Sequence, residues 1–250
     1  MTAATAAPPA RLLPDPDLST LPAARLEEMH DAAATILRCE AALAKSRMSV
    51  VSEVLRGQGD FAVWARYPKG DVFDTETHSH YFYHAHAPEE MIEGENGHFH
   101  LFLRPAGLAP GLAPWALPGA PVPEDEAARF IHVVAISVDA HGVPLRLFTT
   151  NRWVTDETLY RAGDAIGLLD SFAMEVAHPN WAVSEWLTAM VRFWRPQVEG
   201  LLQLRDAVLA DLATRQPDTA PTEDRGVQNT AECRLDRATQ IAAIEAALGI

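Results

Sequence analysis

Histidine is concentrated in one short stretch of this 250-residue chain. Neutral imidazole is the commonest protein ligand of transition metals, and metal–nitrogen bonds of about 2.0–2.1 Å require ligand side chains that converge. Histidines gathered in one place would repel one another when protonated, unless a bound metal keeps them neutral. The pattern therefore predicts a site for a divalent transition metal. Six of the ten histidines form this group, namely His78, His80, His84, His86, His98 and His100.

The spacing predicts that these histidines share one face of two neighbouring strands. Residues 78–86 and 98–104 both alternate in the manner of β-strands, and every histidine in them has an even number. Because successive side chains of a strand point to opposite faces, residues of even number lie on the same face. The two strands therefore present their imidazoles to one side of a sheet.

A register for this hairpin follows if residues 87–97 form its connecting loop. His86 then faces His98 and His84 faces His100, with opposed Cβ atoms about 4.5–5.5 Å apart. Four imidazoles would converge on one patch, and a histidine of the next predicted strand could join from the side. The predicted metal ligands are accordingly His84, His86, His98 and His100, with His80 and His132 as further candidates.

The connecting loop adds carboxylates to the predicted site, namely Glu89, Glu90, Glu93 and Glu95. Histidines with one carboxylate form the ligand set that suits non-haem Fe(II), whereas three histidines without a carboxylate suit catalytic Zn(II). Iron and zinc both remain open. Glu90 is predicted either as a ligand or as the general base that takes a proton from water at the metal.

The predicted function is that of a metal-dependent oxygenase or hydrolase that acts on a small molecule. One alternative is a non-catalytic metal carrier or sensor that uses the same residues. The other is a metal-free module that binds a ligand or a partner through its aromatic, histidine-rich face. Arg152, at the end of the last predicted strand, is a candidate for orienting a substrate carboxylate or phosphate, or else belongs to a strand-to-helix corner in which Trp153 packs.

The elements that must position these residues are indicated by the period of the apolar side chains. Residues 21–57 are helical in pattern, residues 61–150 contain strands interrupted by a proline-rich loop at 104–128, and residues 164–212 and 235–248 are again helical. This order predicts an α+β fold, with an antiparallel sheet of about four to six strands flanked by N-terminal and C-terminal helices. The predicted organisation is a flexible segment (1–20), one α+β domain (21–215), a linker (216–234) and a C-terminal helix (235–250).

Composition excludes several classes of partner. Acidic residues outnumber basic ones by 34 to 20, and the formal charge of −14 argues against nucleic acid or an anionic membrane as a partner. No apolar run approaches the length of a membrane span, and only Cys39 and Cys233 are available for disulfides. We therefore expect a cytoplasmic protein with a small-molecule substrate or ligand.

From about Asp60 to Asp206 the chain resembles an uncharacterised bacterial family, a domain of unknown function. The residues that carry the resemblance are His78-Ser-His80-Tyr-Phe-Tyr-His84-Ala-His86, Gly97-His-Phe-His-Leu-Phe-Leu-Arg104 and Asn151-Arg-Trp-Val-Thr-Asp-Glu157. The resemblance implies that these segments belong to one unit, and it implies no particular activity.

Overall fold

A seven-stranded sheet forms the centre of the molecule within residues 10–216 and 218–250, the part of the chain that this computed structural model describes. Its strands are β1 (Arg11–Leu12), β2 (Tyr67–Asp74), β3 (Ser79–His84), β4 (Gly97–Leu103), β5 (Ile131–Val138), β6 (Pro144–Thr150) and β7 (Asn229–Arg234). Their order across the sheet is β1-β7-β6-β5-β4-β3-β2. β1 runs parallel to β7, and all other neighbours are antiparallel. The predicted α+β class is confirmed, but the sheet is larger than the predicted four to six strands.

Most of the helices flank the run of strands as predicted, but Pro105–Leu108 forms a short helix inside the proline-rich segment predicted as a loop. The helices are α1 (Ala23–Lys45), α2 (Val50–Leu55), α3 (Pro105–Leu108), α4 (Arg152–Thr155), α5 (Ala162–Leu168), α6 (Trp181–Phe193), α7 (Arg195–Arg215) and α8 (Arg237–Leu248). The Asn180 side chain caps α6 by accepting a hydrogen bond from the Ala182 amide. Pro196 lies in the first turn of α7, where its missing N–H costs nothing. Within the described ranges, none of the helices combines the length and the apolar character needed to cross a bilayer.

Helices α1 and α6 pack together and cover the face of the sheet opposite the histidines. Tyr81, Tyr83 and Phe99 are fully buried in the same core as these helices. The indole of Trp186 in α6 lies 5.8 Å from the Phe99 ring and donates a hydrogen bond to Glu40 in α1. Residues of odd number in β3 and β4 thus anchor the sheet to its helical layer, and the histidines face the other way.

Two segments, one near each end of the chain, each contain a strand that was not predicted from the sequence. Residues 216–234, interpreted as a linker, contain β7, which pairs with β6 and inserts between it and β1. Prolines and polar residues precede this strand and make the whole segment resemble a linker, although Thr230, Ala231 and Cys233 are buried. In the segment predicted as flexible, residues 11–12 form β1 and Leu18 is buried. Residues 1–9 of that segment lie outside the described residues.

The edge strand β2 also differs from the prediction. Residues 61–67 have the sequence pattern of a strand and residues 68–71 the composition of a turn, but β2 begins at Tyr67 and includes residues 68–71. The pairing with β3 is irregular between Tyr67 and Val72, and Gly70 and Asp71 have positive φ angles. A bulged edge strand of this kind tolerates proline and glycine because one side needs no partner.

Candidate metal centre

Strands β3 and β4 place His84 directly opposite His98. The predicted register, in which His86 faced His98 and His84 faced His100, is wrong by two residues, and Phe82 is the residue that lies opposite His100. The connecting segment therefore begins earlier than expected, after His84. Because the displacement is even, each histidine within β3 and β4 keeps its predicted face of the sheet, while His86 lies just after the end of β3.

Three histidines bring their ring nitrogens together at this point. One nitrogen from each of His84, His86 and His98 lies within 4.8 Å of the other two. The Nε2 atoms of His84 and His98 are 2.7 Å apart, and nitrogens that share one metal at about 2.0–2.1 Å are separated by about 3 Å. The Nε2 atom of His86 is buried and has no hydrogen-bond partner in the part of the chain described. These three residues, called the triad below, are close enough to hold a metal ion.

Glu95 fixes the orientation of His98. The two groups share a hydrogen bond of 2.8 Å between Nδ1 of the ring and Oε1 of the carboxylate. A carboxylate only accepts, so Nδ1 carries the proton and Nε2 of the neutral ring keeps its lone pair. Burial alone would raise the pKa of Glu95, but the His98 hydrogen bond and the Arg146 guanidinium hold it below the ordinary value. A carboxylate behind a histidine in this way is the usual support of a metal ligand.

Burial keeps the triad neutral. It lowers the pKa of His84 to about 2 and that of His86 to about 4. It also lowers the pKa of His98, against the opposing effect of Glu95. All three rings therefore keep a lone pair available at neutral pH, as metal ligation requires.

A glycine allows the two strands to meet at the triad. A Cβ atom at Gly97 would lie 2.4 Å from the Tyr83 hydroxyl and 2.6 Å from the His84 carbonyl oxygen. The Tyr83 hydroxyl instead donates to the Asn96 side chain at 2.7 Å. Any larger residue at position 97 would push β4 away from β3, and His98 with it.

His100 and His132 form a pair beside the triad. Nδ1 of His100 and Nε2 of His132 are 2.9 Å apart, and Nδ1 of His132 lies 3.3 Å from the Thr150 hydroxyl. The His100 ring centroid is 5.1 Å from that of His84 and 4.9 Å from that of His98. Both predicted ligands thus lie next to the converging nitrogens without joining them.

His80, the remaining predicted ligand, lies in an aromatic stack. Its ring is 4.8 Å from Phe73 and 4.4 Å from Phe102, measured between centroids. Burial lowers its pKa to about 3. The residue contributes packing on the histidine face and takes no part in the triad.

The two predicted catalytic residues occupy different places. Glu90 lies beside the triad, with its Oε2 atom 3.8 Å from Nδ1 of His86 and its side chain half exposed. Arg152 is buried and paired with Glu223, whose Oε1 atom lies 2.8 Å from its Nε. The structure therefore brings Glu90 to the site and directs the Arg152 guanidinium to another carboxylate.

A small cavity of about 40 Å³ opens next to the triad. His86, His98 and Glu90 line it, together with His100 and Arg146. One water needs about 10–15 Å³ of such space, so the cavity holds only a few atoms. Arg146 was not among the predicted site residues, although it lies two residues before Phe148 in the predicted strand and so on the same face as that ring.

Comparison with models of protein families assigns most of the chain to a family. The model of a family described as Domain of unknown function (DUF6969) matches residues 30–235, a range that holds the triad, Glu95, Arg146 and every strand except β1. The predicted resemblance to a domain of unknown function is confirmed. No curated protein and no solved structure matches the chain.

Proposed function

We propose that this chain, which belongs to the family of unknown function matched over residues 30–235, is a metalloprotein with a single-ion site formed by His84, His86 and His98. The observation that carries the proposal is the convergence of three neutral ring nitrogens, from the buried His86 and His98 and the partly buried His84, with His98 oriented by Glu95. Burial of the site favours a resident metal over the exposed, labile binding expected of a carrier.

The donor set favours zinc. Three histidines without a ligating carboxylate, next to space for a further ligand, match the pattern of catalytic zinc sites. The buried carboxylate closest to the triad, Glu95, is engaged by Nδ1 of His98, and this arrangement does not supply the two-histidine, one-carboxylate set of non-haem iron. Iron remains the alternative metal, and its presence would favour oxygen chemistry.

The cavity beside the triad supports a catalytic role. A zinc ion with three histidine ligands and an open position lowers the pKa of a bound water to about 7. Glu90 lines the same cavity and is the carboxylate placed to accept a proton there. Hydrolysis or hydration of a small molecule is the reaction class that these residues fit.

The metal-free binding module is the less favoured function. That reading needs an accessible aromatic face, but Phe82 is 3% exposed and Phe102 is 1% exposed. Trp64 lies over the triad as well, with its ring stacked on that of His86 at a centroid distance of 4.1 Å. The histidine side of the strands is therefore buried, beneath a layer in which Trp64 and Phe73 remain 56% and 42% exposed.

Elemental analysis of untagged protein, purified without added metal, tests the proposal. We expect close to one equivalent of zinc in the wild type and none in a variant that combines His84→Ala, His86→Ala and His98→Ala, because each substitution removes a ligand. A variant with His141→Ala and His178→Ala is the matched control, since both residues are exposed and lie outside the triad. It should keep the metal.

Two outcomes would contradict the proposal. One is a wild type that stays free of metal after anaerobic reloading with zinc and iron in turn. The other is a triad variant that folds, as judged by circular dichroism, and retains the same metal content as the control.

Glu95→Gln is expected to weaken metal binding by about 10- to 100-fold, because it removes the carboxylate that orients His98. Competition with a chromogenic chelator measures the affinity. Glu232→Gln is the control, since Glu232 also pairs with Arg146 but has no contact with His98 among its hydrogen bonds in the described ranges. An equal loss of affinity in the two variants would show that Glu95 acts through Arg146 alone, and an affinity of Glu95→Gln equal to that of the wild type would contradict its role.

A further inference from the structure

Three polar atoms that lack a hydrogen-bond partner within the described ranges belong to residues that line one cavity. They are Nε2 of His86, Nε2 of His100 and Nε of Arg146. A buried polar group without a partner costs free energy, so three such atoms in residues around one cavity indicate that a bound molecule supplies missing partners. The proposed metal accounts for His86 and leaves the other two atoms.

Arg146 determines what kind of partner is missing. Its Nη2 atom contacts Glu95 at 3.3 Å and its Nη1 atom pairs with Glu232, while the guanidinium lies over the Phe148 ring. Arginine is always protonated in proteins, so the remaining Nε–H can only donate. The partner must therefore carry an acceptor, and an oxyanion is the acceptor that guanidinium groups bind best.

Size and charge limit the oxyanion further. The cavity of about 40 Å³ has space for about three non-hydrogen atoms, at about 10–15 Å³ for each water-sized group. Glu90, Glu95 and Arg146 are the charged side chains of its described lining. Glu232, which pairs with Arg146, adds a third negative charge, so a divalent ion would leave these side chains neutral, and the site tolerates at most a single added negative charge.

We infer that the cavity binds a small monoanion of the carboxylate type, with formate as the smallest member. One oxygen would lie at the metal, and the other would accept the Nε–H of Arg146, with His100 Nε2 as a second neighbour. The inference rests on the proposed metal site and names the ligand class of that site. Arg146 then selects the ligand by its positive charge and by its Nε–H donor. This is the role predicted from the sequence for Arg152.

Isothermal titration of the zinc-loaded protein with formate and with formamide tests this inference. The two probes have the same number of non-hydrogen atoms and differ in charge, so formate should bind and formamide should not. Arg146→Lys keeps a cation beside Glu95 and Glu232 but removes the Nε–H donor. We expect it to retain zinc and to bind formate at least about 10-fold more weakly.

Arg152→Lys is the matched control, because Arg152 is also a buried arginine paired with a glutamate and lies outside the cavity lining. It should bind formate as the wild type does. Equal affinity for formate and formamide would overturn the oxyanion class, and equal formate affinity in Arg146→Lys and the wild type would overturn the role of Arg146. If the wild type holds no metal, the proposed function fails. If it holds the metal but binds neither formate nor formamide, this inference alone is overturned.

Discussion

Removal of the metal is expected to lower the free energy of unfolding by about 4 kcal/mol. A ligand that binds only the folded state adds RT ln(1 + [L]/Kd), which is about 4.1 kcal/mol at 1,000 times Kd. For a chain of this size, 1 kcal/mol moves the melting temperature by about 2–4 °C. Thermal unfolding with and without a strong chelator should therefore show a decrease of about 10 °C.

The same measurement on the triad variant separates metal binding from other effects of the chelator. The variant lacks the three ligands, so its melting temperature should not change when the chelator is added. The wild type without metal should still fold, because the 2.7 Å contact between His84 and His98 becomes a hydrogen bond when one ring donates to the other. A melting temperature of the wild type that does not respond to chelator would speak for the metal-free alternative.

The histidine face was predictable because it depends on the period of a strand and not on the exact pairing. His84, His86 and His98 share a face for any register that differs by an even number of residues. The choice of ligands did depend on the register. In the observed register His84 lies opposite His98. His100 therefore pairs with His132 and lies outside the triad.

Contacts between distant parts of the chain were beyond the reach of the sequence pattern. Glu95 was noted only as one of four carboxylates in the loop, and its role follows from the fold of that loop back onto His98. Arg146 is 51 positions from Glu95, so no local spacing signals their contact. β7 was missed because its pairing with β6 stabilises a short segment whose own composition favours a loop.

The buried carboxylate of Glu157 is expected to make stability depend on pH. Glu157 is 1% exposed, and its Oε2 atom accepts a hydrogen bond from the His132 amide at 2.9 Å. Burial raises its pKa from 4.5 to about 7, although Arg205 lies nearby. Between these values the folded chain keeps a proton that the unfolded chain has released, so the stabilisation is complete below about pH 4.5 and is lost as the pH rises through about 7.

Glu157→Gln isolates this contribution, because glutamine resembles the protonated acid and does not titrate. At 1.36 kcal/mol for each pKa unit, the variant should gain about 3 kcal/mol over the wild type between pH 4.5 and pH 8. Arg205 stays compensated in the variant, since its Nη2 atom also bonds to Asp206 at 2.8 Å and to the Tyr160 carbonyl at 2.7 Å.

Urea denaturation of both proteins across this pH range measures the difference in their free energies of unfolding. Histidine titrations occur in both proteins and therefore cancel in that difference. The exposed Glu89, changed to Gln, is the control and should leave the profile of the wild type unchanged. Parallel profiles for Glu157→Gln and the wild type would show that Glu157 is ionised throughout and pairs with Arg205. An ion pair would then stabilise the buried end of β5, and the His132 amide would donate its hydrogen bond to a carboxylate and not to a carboxylic acid.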